Sequence, residues 1–144
     1  MSPVNKMMLK AVKMKMTQIF REDRVVPVTP VRLLAEGEEL PKIGDFVKIM
    51  GVSKGKGFQG VVKRHGFGGG PKTHGQKDRL RAPGSIGNTD AQHVYKGRRM
   101  AGRMGGDQIT LKRVEVSGLA EEKKILFLKG ALPGPTGKTI LIEK

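Results

Sequence analysis

The sequence predicts a mainly β protein: a small domain assembled from both ends of the chain, with a long basic, glycine-rich segment between them. Three observations carry this. Short runs rich in Val, Ile, Thr and Phe, bounded by Gly, Pro or charged turns, recur at both ends. No window holds a sustained 3.6-residue apolar repeat, so long helices are not expected. The middle of the chain carries most of the net charge and most of the glycine, but few large apolar residues.

Taken in order, Val12 to Phe20 and Arg24 to Thr29 read as strands separated by the turn-prone Arg21-Glu22-Asp23. Asp45 to Met50 is a third strand, led in by Pro41 and Gly44. Residues 51–113 then hold fourteen basic and three acidic side chains, 15 of the 21 glycines and all three histidines. Such a segment cannot bury enough apolar surface to offset its ordering entropy, and alone in water it is expected to be extended or disordered. Ile109 to Val116 is β-rich again. A polar loop at Ser117 to Glu122 and a run from Lys123 to Leu128 complete an expected hairpin. Pro133-Gly134-Pro135-Thr136-Gly137 turns the chain into a last strand, Thr139 to Ile142. The expected organisation is therefore a discontinuous β domain, 1–50 with 114–144, and a basic extension, 51–113.

Composition narrows the function. The chain has 144 residues, 28 Lys and Arg against 13 Asp and Glu, and a formal charge of +15. Self-repulsion of that size opposes compaction, so a polyanion is the expected partner. With no Cys there is no disulfide scaffold, thiolate nucleophile or Cys-ligated zinc. No run of 18 apolar residues is present, and the Lys-dotted start lacks the h-region of a signal peptide, so neither a membrane span nor secretion is expected. Met1 to Lys15 is basic and acid-free but lacks Arg and has one Ser, which favours a cytoplasmic location over organellar import.

Local motifs offer little enzymatic chemistry. Gly55-Lys56-Gly57-Phe58-Gln59-Gly60 fits the dinucleotide pattern. That pattern, however, needs a long following helix, and here Lys63-Arg64-His65-Gly66 leads into more glycine and Pro71. A Walker A loop fails because Gly57 stands where a Ser or Thr must hold magnesium. His65, His74 and His93 match no helical ligand spacing, and no carboxylate cluster accompanies them. Histidines that hydrogen-bond or stack on nucleic acid are the simpler reading. No catalytic residue, metal site or cofactor is expected; any magnesium would belong to the bound polyanion.

The strongest signal is the alternation of cations with glycine. Lys54, Lys56, Lys63, Arg64, Lys72, Lys77, Arg79, Arg81, Lys96, Arg98, Arg99, Arg103, Lys112 and Arg113, with His65 and His74, are the candidate RNA-binding side chains. Each cation releases condensed counterions from a polyanion, and glycine lets the backbone approach closely. Phe58, Phe67 and Tyr95 could stack on bases or anchor the extension, and the sequence leaves both open. Groove-reading helices, zinc ligands and the aromatic motifs of RNA-recognition domains are absent. A long irregular arm recognising the shape and backbone of a folded RNA remains. The alternative is a free nucleic-acid-compacting protein.

Several blocks resemble the large-subunit ribosomal protein L-three family. They are Gly51-Val52-Ser53-Lys54-Gly55-Lys56-Gly57-Phe58-Gln59-Gly60 with Lys63-Arg64-His65, Gly69-Gly70-Pro71, Thr73-His74-Gly75 and Arg81-Ala82-Pro83-Gly84-Ser85-Ile86-Gly87. Tyr95 to Gly102 and Lys129-Gly130-Ala131-Leu132-Pro133-Gly134-Pro135 follow in the right order, and Met16-Thr17-Gln18-Ile19-Phe20 is similar to the family's opening strand.

The resemblance implies a reduced translation-protein-type β-barrel with a long basic glycine-rich extension loop. That loop would run into 23S-type ribosomal RNA toward the peptidyl transferase centre, among neighbouring large-subunit proteins. Its tip would be Gly87, Asn88, Thr89, Asp90, Ala91 and Gln92. The implied role is structural and assembly-related, on cytoplasmic ribosomes, without enzymatic activity. Three departures stand out. Only about Pro30 to Lys42 occupies the place of a large family insert, so part of the barrel or its embellishments is expected to be missing. The tip is shortened and offers no counterpart of a glutamine that some relatives methylate. Lys15 stands where the family normally has Gly.

Overall fold

The structure is a computed structural model that describes residues 8–34, 40–120, 122 and 124–144. The chain divides into two compact units, one formed by residues 1–54 with 107–144 and the other by 55–106.

The first unit is a closed six-stranded antiparallel barrel. Its strands are β1 (Met8–Lys13), β3 (Arg24–Leu33), β4 (Phe46–Val52), β7 (Gln108–Ala120), β8 (Ile125–Lys129) and β9 (Thr139–Glu143). They pair in the order β1-β9-β4-β7-β8-β3, and β3 returns to β1 to close the ring. Each strand sends one i, i+2 pair inward: Leu9 and Ala11, Val31 and Leu33, Val47 and Ile49, Val114 and Val116, Leu126 and Leu128, Ile140 and Ile142. Leu132, from the turn between β8 and β9, completes this aliphatic core. That is the period of two that a pleated strand imposes, and each Val, Leu or Ile side chain contributes roughly 1.5–3 kcal/mol when fully buried. A charge at Ile49, which is wholly buried, would break the ring.

At Gly51 the ring passes too close for a side chain: a Cβ there would lie 2.8 Å from Pro133 Cγ and 3.2 Å from Ile140 Cγ2. The ring of six strands is closed. The link from β3 to β4 contributes Leu40 to the core, and residues 35–39 within it lie outside the described residues.

Two sequence expectations change in detail. Val12 to Phe20 is not one strand. β1 and β2 (Thr17–Arg21) lie in turn along the same edge of β3, with Lys13 opposite Val31 and Thr17 opposite Val28. One extra residue is accommodated across Met14–Met16, where Pro30 has no N–H to donate and its carbonyl accepts from Met14 N–H at 2.9 Å. The second change is at Ser117 to Glu122, expected as a loop: β7 continues through Ala120, with a bulge between Val116 and Gly118. Gly118 reads as a turn residue in sequence, but its missing side chain serves cross-strand packing, since a Cβ would sit 3.3 Å from Phe127 Cδ2.

The second unit has little regular structure. β5 (Phe58–Gln59) pairs with β6 (Gly102–Arg103), and a one-turn helix α1 (Val61–His65) follows β5. Gly66, in the left-handed region at φ +73°, ends that helix with its N–H on Val62 O. A 3-10 turn spans Thr89–Ala91. Val61 is the one buried apolar residue here among the described residues.

Candidate nucleic-acid interface

Residues 55–106 carry eleven Lys and Arg against Asp78 and Asp90. Among the described residues, every ion pair lies instead in the barrel unit. Lys129 Nζ is 2.8 Å and Arg21 Nη1 is 3.5 Å from the Glu115 carboxylate, Lys48 Nζ is 2.7 Å from Glu143 Oε2, and Lys144 Nζ is 3.1 Å from Asp45 Oδ2. These contacts hold two of the acids ionised. The Asp45 carboxyl lies below its ordinary value because of the backbone N–H of Lys42 and then the Lys144 ammonium, and Glu115 is lowered chiefly by its hydrogen bond from Lys129. The barrel thus mixes and pairs its charges, whereas among the described residues no cation of the second unit meets a carboxylate.

Of the sixteen sequence candidates, thirteen fall in residues 55–106; Lys54, Lys112 and Arg113 belong to the barrel unit. Lys112 and Arg113 lie on β7, and the Arg113 guanidinium sits 4.1 Å from the centroid of the Phe46 ring. Lys56, Lys63, Lys72, His74, Lys77, Arg79, Arg81, Lys96, Arg98, Arg99 and Arg103 are all exposed. Arg64 and His65 differ. Both project from α1 onto one acceptor, Met100 O, with Arg64 Nη1 at 2.7 Å and His65 Nε2 at 3.0 Å. A Cβ at Gly102 would lie 2.8 Å from Arg64 Nη1, so glycine is what admits the guanidinium. These two side chains brace the unit. Arg98 also donates to Ser85 O, while Arg99 stands exposed beside it.

The expected tip is organised by its own side chains. Asn88 Oδ1 accepts from Thr89 N–H at 2.7 Å, Asn88 Nδ2 donates to Asp90 Oδ2 at 3.1 Å, and Gln92 N–H closes the turn on Thr89 O at 3.1 Å. Phe58 and Tyr95 are 77% and 63% exposed, and the Tyr95 ring meets His93 at a steep angle, centroids 5.3 Å apart. Among the described residues, no three His, Asp or Glu side chains converge as a metal site would require.

Two features escaped the sequence reading. Lys13 reaches the β8–β9 turn, where Nζ donates to Leu132 O at 2.7 Å and Gly134 O at 2.6 Å. Burial, and secondarily the charge of Lys54, lower its pKa. A concavity of about 500 Å³ is lined by Phe67–Gly70, Gln76, Arg79 and Ala82–Gly84. Only the run of glycines ending in Pro71 hinted at a tight fold there.

Comparison with known proteins identifies the family. The family described as ribosomal protein L3 matches residues 38–124. The large ribosomal subunit protein uL3 of Chlorobium limicola is 57% identical over 102 residues, covering 70% of this chain and 49% of that protein. Its counterpart in Dehalococcoides mccartyi is 45% identical over 130 residues, covering 87% of this chain and 63% of that protein. The chain spans about half the length of the first of these relatives and less than two thirds of the second. With a family match across more than half its residues, the chain belongs to the ribosomal protein L3 family.

Proposed function

We propose that this chain is a structural constituent of the large ribosomal subunit that binds 23S-type ribosomal RNA. In that role it supports subunit assembly and performs no catalysis. The observation that carries the reading is the charge of residues 55–106: eleven cations, two carboxylates and, among the described residues, no ion pair, in a chain of this family. Unpaired cations on a glycine-rich chain neutralise phosphates whose repulsion would otherwise hold RNA helices apart, and released counterions supply the driving force. The turn at Gly87 to Gln92 is the part assigned nearest the peptidyl transferase centre. Neighbouring large-subunit proteins are the expected protein partners, and cytoplasmic ribosomes the expected location.

Sucrose-gradient fractionation of a lysate tests this. Co-migration with large subunits in high salt is the expected result. A chain that stays at the top of the gradient, or coats RNA and DNA alike without joining subunits, would overturn it.

A further inference from the structure

We propose that the concavity between Phe67–Gly70 and Gln76–Gly84 seats an unstacked nucleobase of single-stranded RNA, an inference that rests on the RNA-binding reading above. The chain builds this hollow from its own backbone. Gly70 N–H donates to Leu80 O at 2.8 Å and Ala82 N–H to Arg79 O at 3.2 Å. With its amide turned so that the oxygen faces them, the Gln76 side chain accepts from the N–H groups of Arg79 at 3.0 Å and Leu80 at 3.2 Å, an orientation that satisfies both ends of the amide. The walls are therefore fixed before a ligand arrives, which lowers the ordering cost of binding.

The lining says what fits. Its volume of about 500 Å³ lies within the roughly 300–1,000 Å³ of small-ligand clefts. Phe67, Ala82 and Pro83 give it an apolar wall, and the Phe67 ring is flanked by His65, with centroids 6.0 Å apart at 42°. Arg79 lines it, and the neighbouring residues 72–81 add Lys72, Lys77 and Arg81 against Asp78 alone. A free phosphate would use the cations but not the apolar wall, and an apolar peptide would use the wall but not the cations. A nucleotide uses both, with its base against Phe67 and its phosphates on the basic rim. Stacking tolerates any base, so no base preference follows.

The test uses the full chain and a short single-stranded RNA containing 2-aminopurine, with a blunt RNA duplex for comparison. Ala82→Leu fills the hollow without removing a charge, and Phe67→Ala removes the stacking face. Each is expected to weaken single-strand binding by about tenfold, the order of one lost base stack. Each should leave duplex affinity and the salt slope unchanged, and the 2-aminopurine fluorescence change of the parent chain should be lost. Ala82→Leu binding the single strand as tightly as the parent, or losing both RNAs equally, overturns the proposal. A parent chain that binds neither RNA overturns the RNA-binding reading itself, and this inference with it.

Discussion

The carbonyl oxygen of Leu80 occupies the space that any side chain at residue 69 would need: a Cβ on Gly69 would overlap it. Gly69 is also in the left-handed region, at φ +73°. The obstacle is backbone rather than the end of a flexible side chain, so it cannot swing aside. Glycine at this position is a condition for residues 69–70 and 79–82 to fold against each other.

Gly69→Ala should therefore open this loop, while Gly75→Ala provides the control. Gly75 is at φ +81° with nothing within 4 Å of an added methyl group, so it incurs only the left-handed penalty of about 1–2 kcal/mol. The 69 variant adds a steric clash and should lose more. Limited proteolysis of the two variants is the measurement: cleavage between residues 69 and 82 should accelerate strongly in the first and slightly in the second. Equal rates would remove the role given to Leu80 O.

The barrel's strands were legible because each is a short apolar or β-branched run bounded by turn residues, as Thr139 to Ile142 is after Pro133 to Gly137. Ring closure was not, because β1 meets β9 through pairings such as Met8 with Glu143, which no local pattern encodes. The interface divides similarly. Charge composition exposed the basic segment, but it could not tell a free cation from a brace. Arg64 looks like its neighbour Lys63 in sequence and is separated from it only by Met100 O, 36 residues away.

Ser117→Ala should stabilise the barrel. Ser117 is 4% exposed in the β7 bulge, and its hydroxyl has no hydrogen-bond partner. An unsatisfied buried hydroxyl carries a desolvation cost of about 1–3 kcal/mol, and alanine removes the hydroxyl while keeping the Cβ. Part of that cost should be recovered as a rise of a few degrees in Tm, read by calorimetry. A lower Tm would show that the hydroxyl is satisfied in solution.

Acid should unfold the barrel partly through Glu115 and Asp45. Both have folded-state pKa values below their ordinary ones, so their contribution is fully present above the ordinary carboxylate range. It is lost as pH falls through the lowered values. Glu115→Gln removes one acceptor of Lys129 and Arg21, and should flatten the acid limb of a stability–pH curve. Its effect near neutral pH should not exceed about 1 kcal/mol, as for other partly exposed pairs. An acid limb as steep as the parent's would assign the transition to other carboxylates.

The cations of residues 55–106 should separate in salt titrations of RNA affinity. Arg99 is exposed, and among the described residues its guanidinium holds no carbonyl as that of Arg64 does, so it is available for phosphate. Arg99→Ala should reduce the log–log salt slope by roughly 0.7–0.9, the value of one phosphate contact, with little change in folding. Arg64→Ala should behave differently, because its guanidinium already holds Met100 O at 2.7 Å. Its loss should loosen the pairing of Phe58 with Arg103 and weaken binding through disorder, leaving the slope per bound chain nearly intact. Filter binding between about 50 and 200 mM salt spans the range where such slopes are resolved. Identical slope changes in the two variants would mean that Arg64 leaves Met100 to meet RNA.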